Sequence, residues 1–317
     1  MTKAPFSGKG ERASDLLGLI HSDVCGPMNT QARGGFQYFI TFTDDFSRYG
    51  YIYLMCHKSE ALERFKEFKN EVQNQHGKSI KALRSDRGGE YLSQDFDELL
   101  KECGIVSQLT PPGTPQWNGV SESRNRTLLD MVRSMMSHSD LPISFWGHAL
   151  ETAAFTLNRV PSKSVQKTPY EIWTGKRPSM SFMKIWGCQA YVKYQMSTKL
   201  EPRSHKCIFV GYPKETKGYY FFNPKENKVF VARTGVFLEK EFLSSKRLFG
   251  KEFPSSCSLV YSGGLSRDLD EIFVEIQDPS KWFHQENKSC DFLRVFLLGA
   301  FSPGFKERRS SFRDLTI

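Results

Sequence analysis

The stretch that decides the fold runs from Ile80 to Glu122, IKALRSDRGGEYLSQDFDELLKECGIVSQLTPPGTPQWNGVSE. Ile80–Leu83 is a short apolar run ending at Arg84-Ser85-Asp86, which reads as a strand. A helix follows from a Ser93 cap, with Phe96, Leu99, Leu100 and Cys103 at i, i+3, i+4 and i+7, and Gly104 stops it. Ile105–Leu109 is another strand. Thr110–Gly119 then holds three prolines and two glycines, too many for regular structure, and reads as a loop. From about Val120 a helix turns Leu128, Met131, Val132 and Met135 inward.

Toward the N-terminus, Leu19–Val24, Phe36–Thr43 and Tyr49–Met55 read as an antiparallel meander, with a turn at Asp44–Ser47. A helix follows, with Ser59 as its expected cap, Glu60 and Glu63 at its positive end, and Leu62, Phe65, Phe68 and Val72 on its apolar face. Toward the C-terminus, a helix starting at Pro142 buries Trp146, Leu150, Ala153 and Leu157. The order is three strands, helix, strand, helix, strand, helices. It predicts an α/β fold, a mixed five-stranded sheet flanked by helices, over residues 14–160, after a polar leader remnant at 1–13.

Beyond Pro161 the character changes. Residues 161–188 read as a basic linker and 189–240 as a small β-barrel. Its expected strands are Ala190–Tyr194, Lys206–Gly211, Gly218–Asn223 and Lys228–Phe237, with turns at Tyr212-Pro213-Lys214 and Asn223-Pro224-Lys225. Residues 241–317 lose periodicity and read as a disordered or unassignable tail.

The chain has 317 residues, 39% of them hydrophobic, enough for one large and one small domain. Its net charge is +9, and the stretch from Arg159 to Lys217, with twelve Lys or Arg against three Glu, carries that whole excess. A local basic excess suits either a nucleic-acid-facing segment or a solvated linker. The seven cysteines form no C-x-x-C pair, which points to a reducing compartment and excludes a disulfide framework and a zinc knuckle. No signal peptide is visible, and the longest late apolar run, Phe296–Phe301, is too short to span a bilayer, so no membrane partner is expected.

Three acids stand where a metal site could be built. Asp23 lies inside the first apolar strand, where a charge is costly unless paired. Asp86 ends the fourth strand, and Glu122 lies in the first turn of the helix after the Pro-rich loop. If strands one and four are neighbours and that helix packs across them, the three carboxylates converge. Hard oxygen ligands of this kind hold Mg²⁺ or Mn²⁺, and two such ions drive phosphoryl transfer. Each acid alone has a plainer reading: a hydrogen-bonded strand-edge group, a turn residue, a helix N-terminal acid. Together, with the Pro-Gln-Trp-Asn-Gly loop just before Glu122, they favour catalysis.

Asp86 and Glu122 are separated by 35 residues. That spacing resembles the D,D-35-E pattern of retroviral and copia-type integrases. So do the segments HSDVCGPM, YFITFTDDFSRYGYIYLM, LRSDRGGEY, GIVSQLTPPGTPQWNGVSE, LPISFWGHALETAAFTLNRVPSK, KTPYEIWTGKRPS and FVGYPKETKGYYFFNP. The similarity covers about residues 5–240. It implies an RNase H-like core followed by a small SH3-like barrel, and Asp23, Asp86 and Glu122 as catalytic metal ligands for two Mg²⁺ or Mn²⁺ ions. The activities it implies are processing of the element's DNA ends and strand transfer. The implied partners are double-stranded DNA and a homo-oligomer, and the implied site of action is the nucleus. Candidate DNA contacts are Gln116, Trp117, Asn118, Arg124, Arg126 and Arg133, although a charged outer helix face would explain the arginines equally. His21 reads as a satisfied core histidine, and Trp146, Trp173 and Trp186 as packing residues.

The chain also departs from the pattern. The family's N-terminal His/Cys zinc module does not precede the core, Trp117 stands where Gln is common, and Ser123 replaces a frequent Arg. The tail no longer resembles the family, and no reverse transcriptase follows, which reads as a fragment of a rearranged copy of a Pol polyprotein. Beside the enzyme stand two other readings, a non-catalytic DNA-binding relic of the same element and a nuclease acting on RNA–DNA hybrids. The 35-residue spacing and the Pro-Gln-x-Asn-Gly loop argue against the nuclease.

Overall fold

The computed structural model describes residues 12–110, 118–162, 164–193 and 203–242. Most of the leader, the loop positions Gln116 and Trp117, and the tail from residue 243 lie outside the described residues. The chain divides into two compact units. One is built from residues up to Asn29, Gly35–Asn125 and Lys167–Lys176; the other from Thr30–Gly34, Arg126–Gln166 and the residues from Arg177 on.

In the first unit, β1 (Ile20–Cys25), β2 (Tyr38–Asp44), β3 (Gly50–Met55), β4 (Ala82–Ser85) and β5 (Val106–Leu109) form one sheet in the order β3-β2-β1-β4-β5. The first three strands are antiparallel, and β1, β4 and β5 run parallel. This is the mixed sheet that the residue patterns predict. Every residue of β2 after Tyr38 is buried, so both faces of the central sheet are covered. On one face, α1 (Ala61–His76) and α2 (Gln94–Glu102) lay Phe65, Phe68, Val72, Phe96 and Leu100 against Ile20, Ile40, Phe42 and Leu83. Phe42 stacks on Phe68 at 4.5 Å between ring centroids, and Phe65 on Phe96 at 5.3 Å. Each such ring contributes roughly 1.5–3 kcal/mol of apolar burial.

Ser59 is not the cap of α1. A 3₁₀ turn, Lys58–Glu60, precedes the helix, and the Glu60 carboxylate accepts the backbone N–H groups of Cys56 and His57 at 2.9 Å. Glu60 itself takes the cap position of α1, and its carboxylate ties down the residues that lead into the turn. The stretch read as a basic linker also contains structure: α5 (Pro169–Thr174) starts at Thr168, whose Oγ1 accepts the Glu171 N–H. It delivers Trp173, 4% exposed, onto Tyr49 at 5.1 Å. Trp146 and Trp186 are likewise buried.

In the second unit, α4 (Trp146–Leu157) packs against β7 of an antiparallel sheet formed by β6 (Gln189–Lys193), β7 (Ser204–Gly211), β8 (Tyr219–Asn223), β9 (Lys228–Ala232) and β10 (Val236–Phe237). The sheet order is β10-β6-β7-β8-β9, so β9 and β10 lie at opposite edges although only Arg233–Gly235 separates them. Four Cα steps reach at most about 15 Å, whereas the edges of a flat five-stranded sheet stand about 19 Å apart. The sheet therefore curls toward a barrel around Phe209, Tyr219 and Phe221, and the single strand expected over Lys228–Phe237 is two, broken near Gly235. A side chain at Gly235 would collide with the Phe221 ring, which explains the residue at that corner.

Candidate active site

β1 and β4 pair in parallel with Ile20 opposite Leu83 and His21 opposite Arg84. Two residues further along, the same register sets Asp23 beside Asp86, the residue that follows β4. Asp86 is fixed by its own turn, where its Oδ1 accepts the Gly88 N–H at 3.0 Å. Glu122 enters from the first turn of α3 (Gly119–His138), a helix anchored where the buried Asn118 donates its Nδ2 to the Ser22 carbonyl at 3.3 Å.

The electrostatics tie these acids together. Burial, the negative charge of Asp86 and, more weakly, that of Glu122 push the Asp23 carboxyl up to about 6. Opposing this, Asn125 donates its Nδ2 to Asp23 Oδ2 at 2.8 Å. Asn125 sits three residues after Glu122, so one turn of α3 carries both the acid and the amide that holds its neighbour. Below them, the Tyr91 hydroxyl meets Ser22 Oγ at 2.7 Å. Enclosure raises the Tyr91 hydroxyl well above its usual range, and the charges of Asp23, Asp86 and Glu90 act in the same direction. Asn125 and Tyr91 escaped the sequence reading. The i+3 spacing from Glu122 was the available signal for Asn125.

The three carboxylates share one field but are not drawn into a closed shell: among the described residues, no three His, Cys, Asp or Glu side chains are gathered tightly enough to hold one ion.

The candidate DNA contacts separate. Asn118 is 1% exposed and points into the protein, because its amide is taken by the Ser22 carbonyl. Arg124 is also turned inward. Its Nη1 donates to the Arg48 carbonyl at 3.0 Å, its guanidinium is enclosed against Gly50, and burial pulls its pKa down to about 10. Two residues after Glu122 is about 200° around a helix, so the inward face was set by phase. Arg126 is exposed, as is Arg133, which pairs with Asp130. Both lie within about 40° of Glu122 around the helix axis. His21 is buried in the core as expected, 1% exposed, with Nε2 2.8 Å from Asp45 Oδ1, but its Nδ1 is buried with no hydrogen-bond partner among the described residues, so it is only half satisfied. No helix among the described residues is long and apolar enough to cross a membrane.

Two family profiles match the chain: "Integrase core domain" over residues 16–115 and "Retroviral polymerase SH3-like domain" over residues 188–249. The retrovirus-related Pol polyprotein from transposon TNT 1-94 of Nicotiana tabacum is 43% identical over 242 residues, covering 75% of this chain and 18% of that polyprotein. The polyprotein from transposon RE2 of Arabidopsis thaliana is 31% identical over 252 residues, covering 78% of this chain and 17% of the relative. The chain thus spans less than a fifth of the length of these relatives. Among solved structures, a chain of the simian T-cell lymphotropic virus intasome in complex with the PP2A regulatory subunit B56 gamma aligns with 73% of this chain and 81% of its own length, at 16% identity and a TM-score of 0.45.

Proposed function

We propose that this chain, which belongs to the integrase family of retrovirus-related Pol polyproteins, is the catalytic core of a copia-type integrase that trims element DNA ends and joins their 3′-hydroxyls to target DNA. The observation that carries the reading is Asp23: a desolvated carboxyl whose pKa is raised by two further acids that come from distant points in the chain. Such an arrangement is unfavourable in itself and fits a divalent cation, because the donors are hard carboxylate oxygens and their mutual repulsion is relieved by positive charge. Asp23, Asp86 and Glu122 would hold the metal.

A pair of Mg²⁺ or Mn²⁺ ions, when bound, would activate the attacking hydroxyl and stabilise the leaving oxygen. The protein's part is positional. Asn125 keeps Asp23 oriented, and the Gly88 N–H does the same for Asp86. Arg126 and Arg133, on the face of α3 shared with Glu122, would neutralise DNA phosphates. Double-stranded DNA is the partner, a homo-oligomer the working assembly and the nucleus the site of action in this reading.

The test incubates purified protein with labelled duplex DNA and Mn²⁺, beside Asp86→Asn and an EDTA control. Nicked or strand-transferred product that requires both the metal and Asp86 is expected. DNA retention without product would replace this reading with that of a non-catalytic DNA-binding relic.

A further inference from the structure

Thr41 lies on β2 directly opposite Asp23 on β1 and is fully buried. Its neighbours Ile40 and Phe42 point into the aromatic core on the other face of the sheet, so Thr41 faces away from that core, on the side where Asn125 meets Asp23. A buried hydroxyl is costly without a partner. This one donates to Asn125 Oδ1 at 3.0 Å, while Asn125 Nδ2 donates to Asp23 Oδ2 at 2.8 Å. Its distance to the Asp23 carbonyl is 3.5 Å, so the amide is its principal acceptor.

An asparagine amide has two ends of similar shape and opposite polarity. Turned over, Asn125 would present its oxygen to the Asp23 carboxylate and repel it. The acceptor-only Asp23 carboxylate selects the orientation in which Nδ2 faces it, and Thr41, donating to Oδ1, holds the other end of the amide in place. We propose that Thr41 is a positioning residue: acting through Asn125, it sets the side-chain geometry of Asp23 for metal binding without touching metal or DNA. This rests on the reading of Asp23 as a metal ligand. Partners that orient a metal ligand from behind typically change metal affinity or activity roughly 10–100-fold when removed.

The experiment compares the full chain with Thr41→Val, which keeps the shape and removes the donor, and Thr41→Ser, which keeps the donor. Three measurements are made: Mn²⁺ affinity by calorimetry, duplex DNA affinity in EDTA, and Mn²⁺-dependent turnover per folded molecule. A metal-free spectrum of the Asn125 side-chain amide reports its environment directly. The proposal expects Thr41→Val to shift the Asn125 amide signals, weaken Mn²⁺ binding by about tenfold or more and lower turnover in step, with DNA affinity unchanged and Thr41→Ser close to wild type. Unchanged Mn²⁺ affinity in folded Thr41→Val overturns it. So does failure of Thr41→Ser to restore affinity, which would mean the methyl packing, not the hydroxyl, is what matters. A wild-type chain that binds no Mn²⁺ would instead sink the metal-site reading beneath it, and the amide spectrum would still show whether Thr41 orients Asn125.

Discussion

Replacing Asp23 by Asn should stabilise the metal-free protein, and the gain should depend on pH in a calculable way. An acid whose pKa is raised by folding favours the folded state when protonated and opposes it when ionised. For Asp23 the ordinary value is 3.8 and the folded value about 6. The opposition therefore sets in above the unfolded value and is complete once pH exceeds about 6. A tenfold change in proton affinity corresponds to about 1.4 kcal/mol, so at pH 8 the ionised carboxylate costs roughly 3 kcal/mol, and at pH 4 only about 0.5 kcal/mol. Asparagine carries no charge at either pH and can still accept a hydrogen bond from Asn125 Nδ2. Urea denaturation of both proteins in EDTA at pH 4 and pH 8 measures the difference. Asp23→Asn is expected to be more stable at pH 8 by about 2–3 kcal/mol, with the gap closing toward pH 4.

Adding Mg²⁺ at pH 8 should reverse the order. Wild type gains RT ln(1 + [L]/Kd), and the variant, lacking a ligand, gains less. An Asp23→Asn protein equally stable to wild type at pH 8 in EDTA, or a gap that does not change with pH, would refute the argument that Asp23 is a strained, repelled acid.

Arg124→Ala should destabilise the protein by about 2 kcal/mol, because it removes an enclosed guanidinium and strips the Arg48 carbonyl of a donor, while leaving DNA affinity per folded molecule unchanged; chemical denaturation beside a DNA titration distinguishes the two effects. The double variant Arg126→Ala/Arg133→Ala should do the opposite, with stability within about 0.5 kcal/mol of wild type and a DNA-binding salt slope reduced by about 1–2, measured as log affinity against log salt. Trp173→Ala should cost about 3–5 kcal/mol although the residue lies in a basic connector, since it deletes a buried indole stacked on Tyr49 and edge-on to His76. A denaturation midpoint unchanged by that substitution would mean α5 does not hold onto the core.

Residue patterning was enough for the five strands and for α1 and α2 of the first unit, because short apolar runs bounded by turn residues mark strands and amphipathic helices repeat at 3.6. Its failures were local and have physical causes. Ser59 is a good capping residue in isolation, but the 3₁₀ turn Lys58–Glu60 moves the start of α1 past it and leaves Glu60 at the cap position. The helix α5 was hidden by the positive charge around it, although Thr168-Pro169 before it and Gly175 after it are start and stop signals. The split of β9 from β10 came from curvature, which no residue pattern announces until the barrel has to close.

The candidate site shows a sharper division. An acid inside an apolar strand is visible as an anomaly, so Asp23 could be singled out with no knowledge of its neighbours. Its meaning depended on one fact that sequence order conceals: β1 pairs in parallel with β4, a strand some sixty positions later. Once that register exists, Asp86 falls beside Asp23, and burial together with the Asp86 charge raises the Asp23 pKa. The arginines erred for the converse reason. Arg124 and Arg126 look alike as charges near Glu122, yet a helix turns by about 100° per residue, so two positions along is the far face and four is the near one. Helical phase, applied to each charged residue in turn, separates the one that ties α3 to Arg48 from the one that can face a phosphate. The same rule finds Asn125, one turn from Glu122, and through it Thr41. The support behind Asp23 could thus have been sought from the position of a single glutamate.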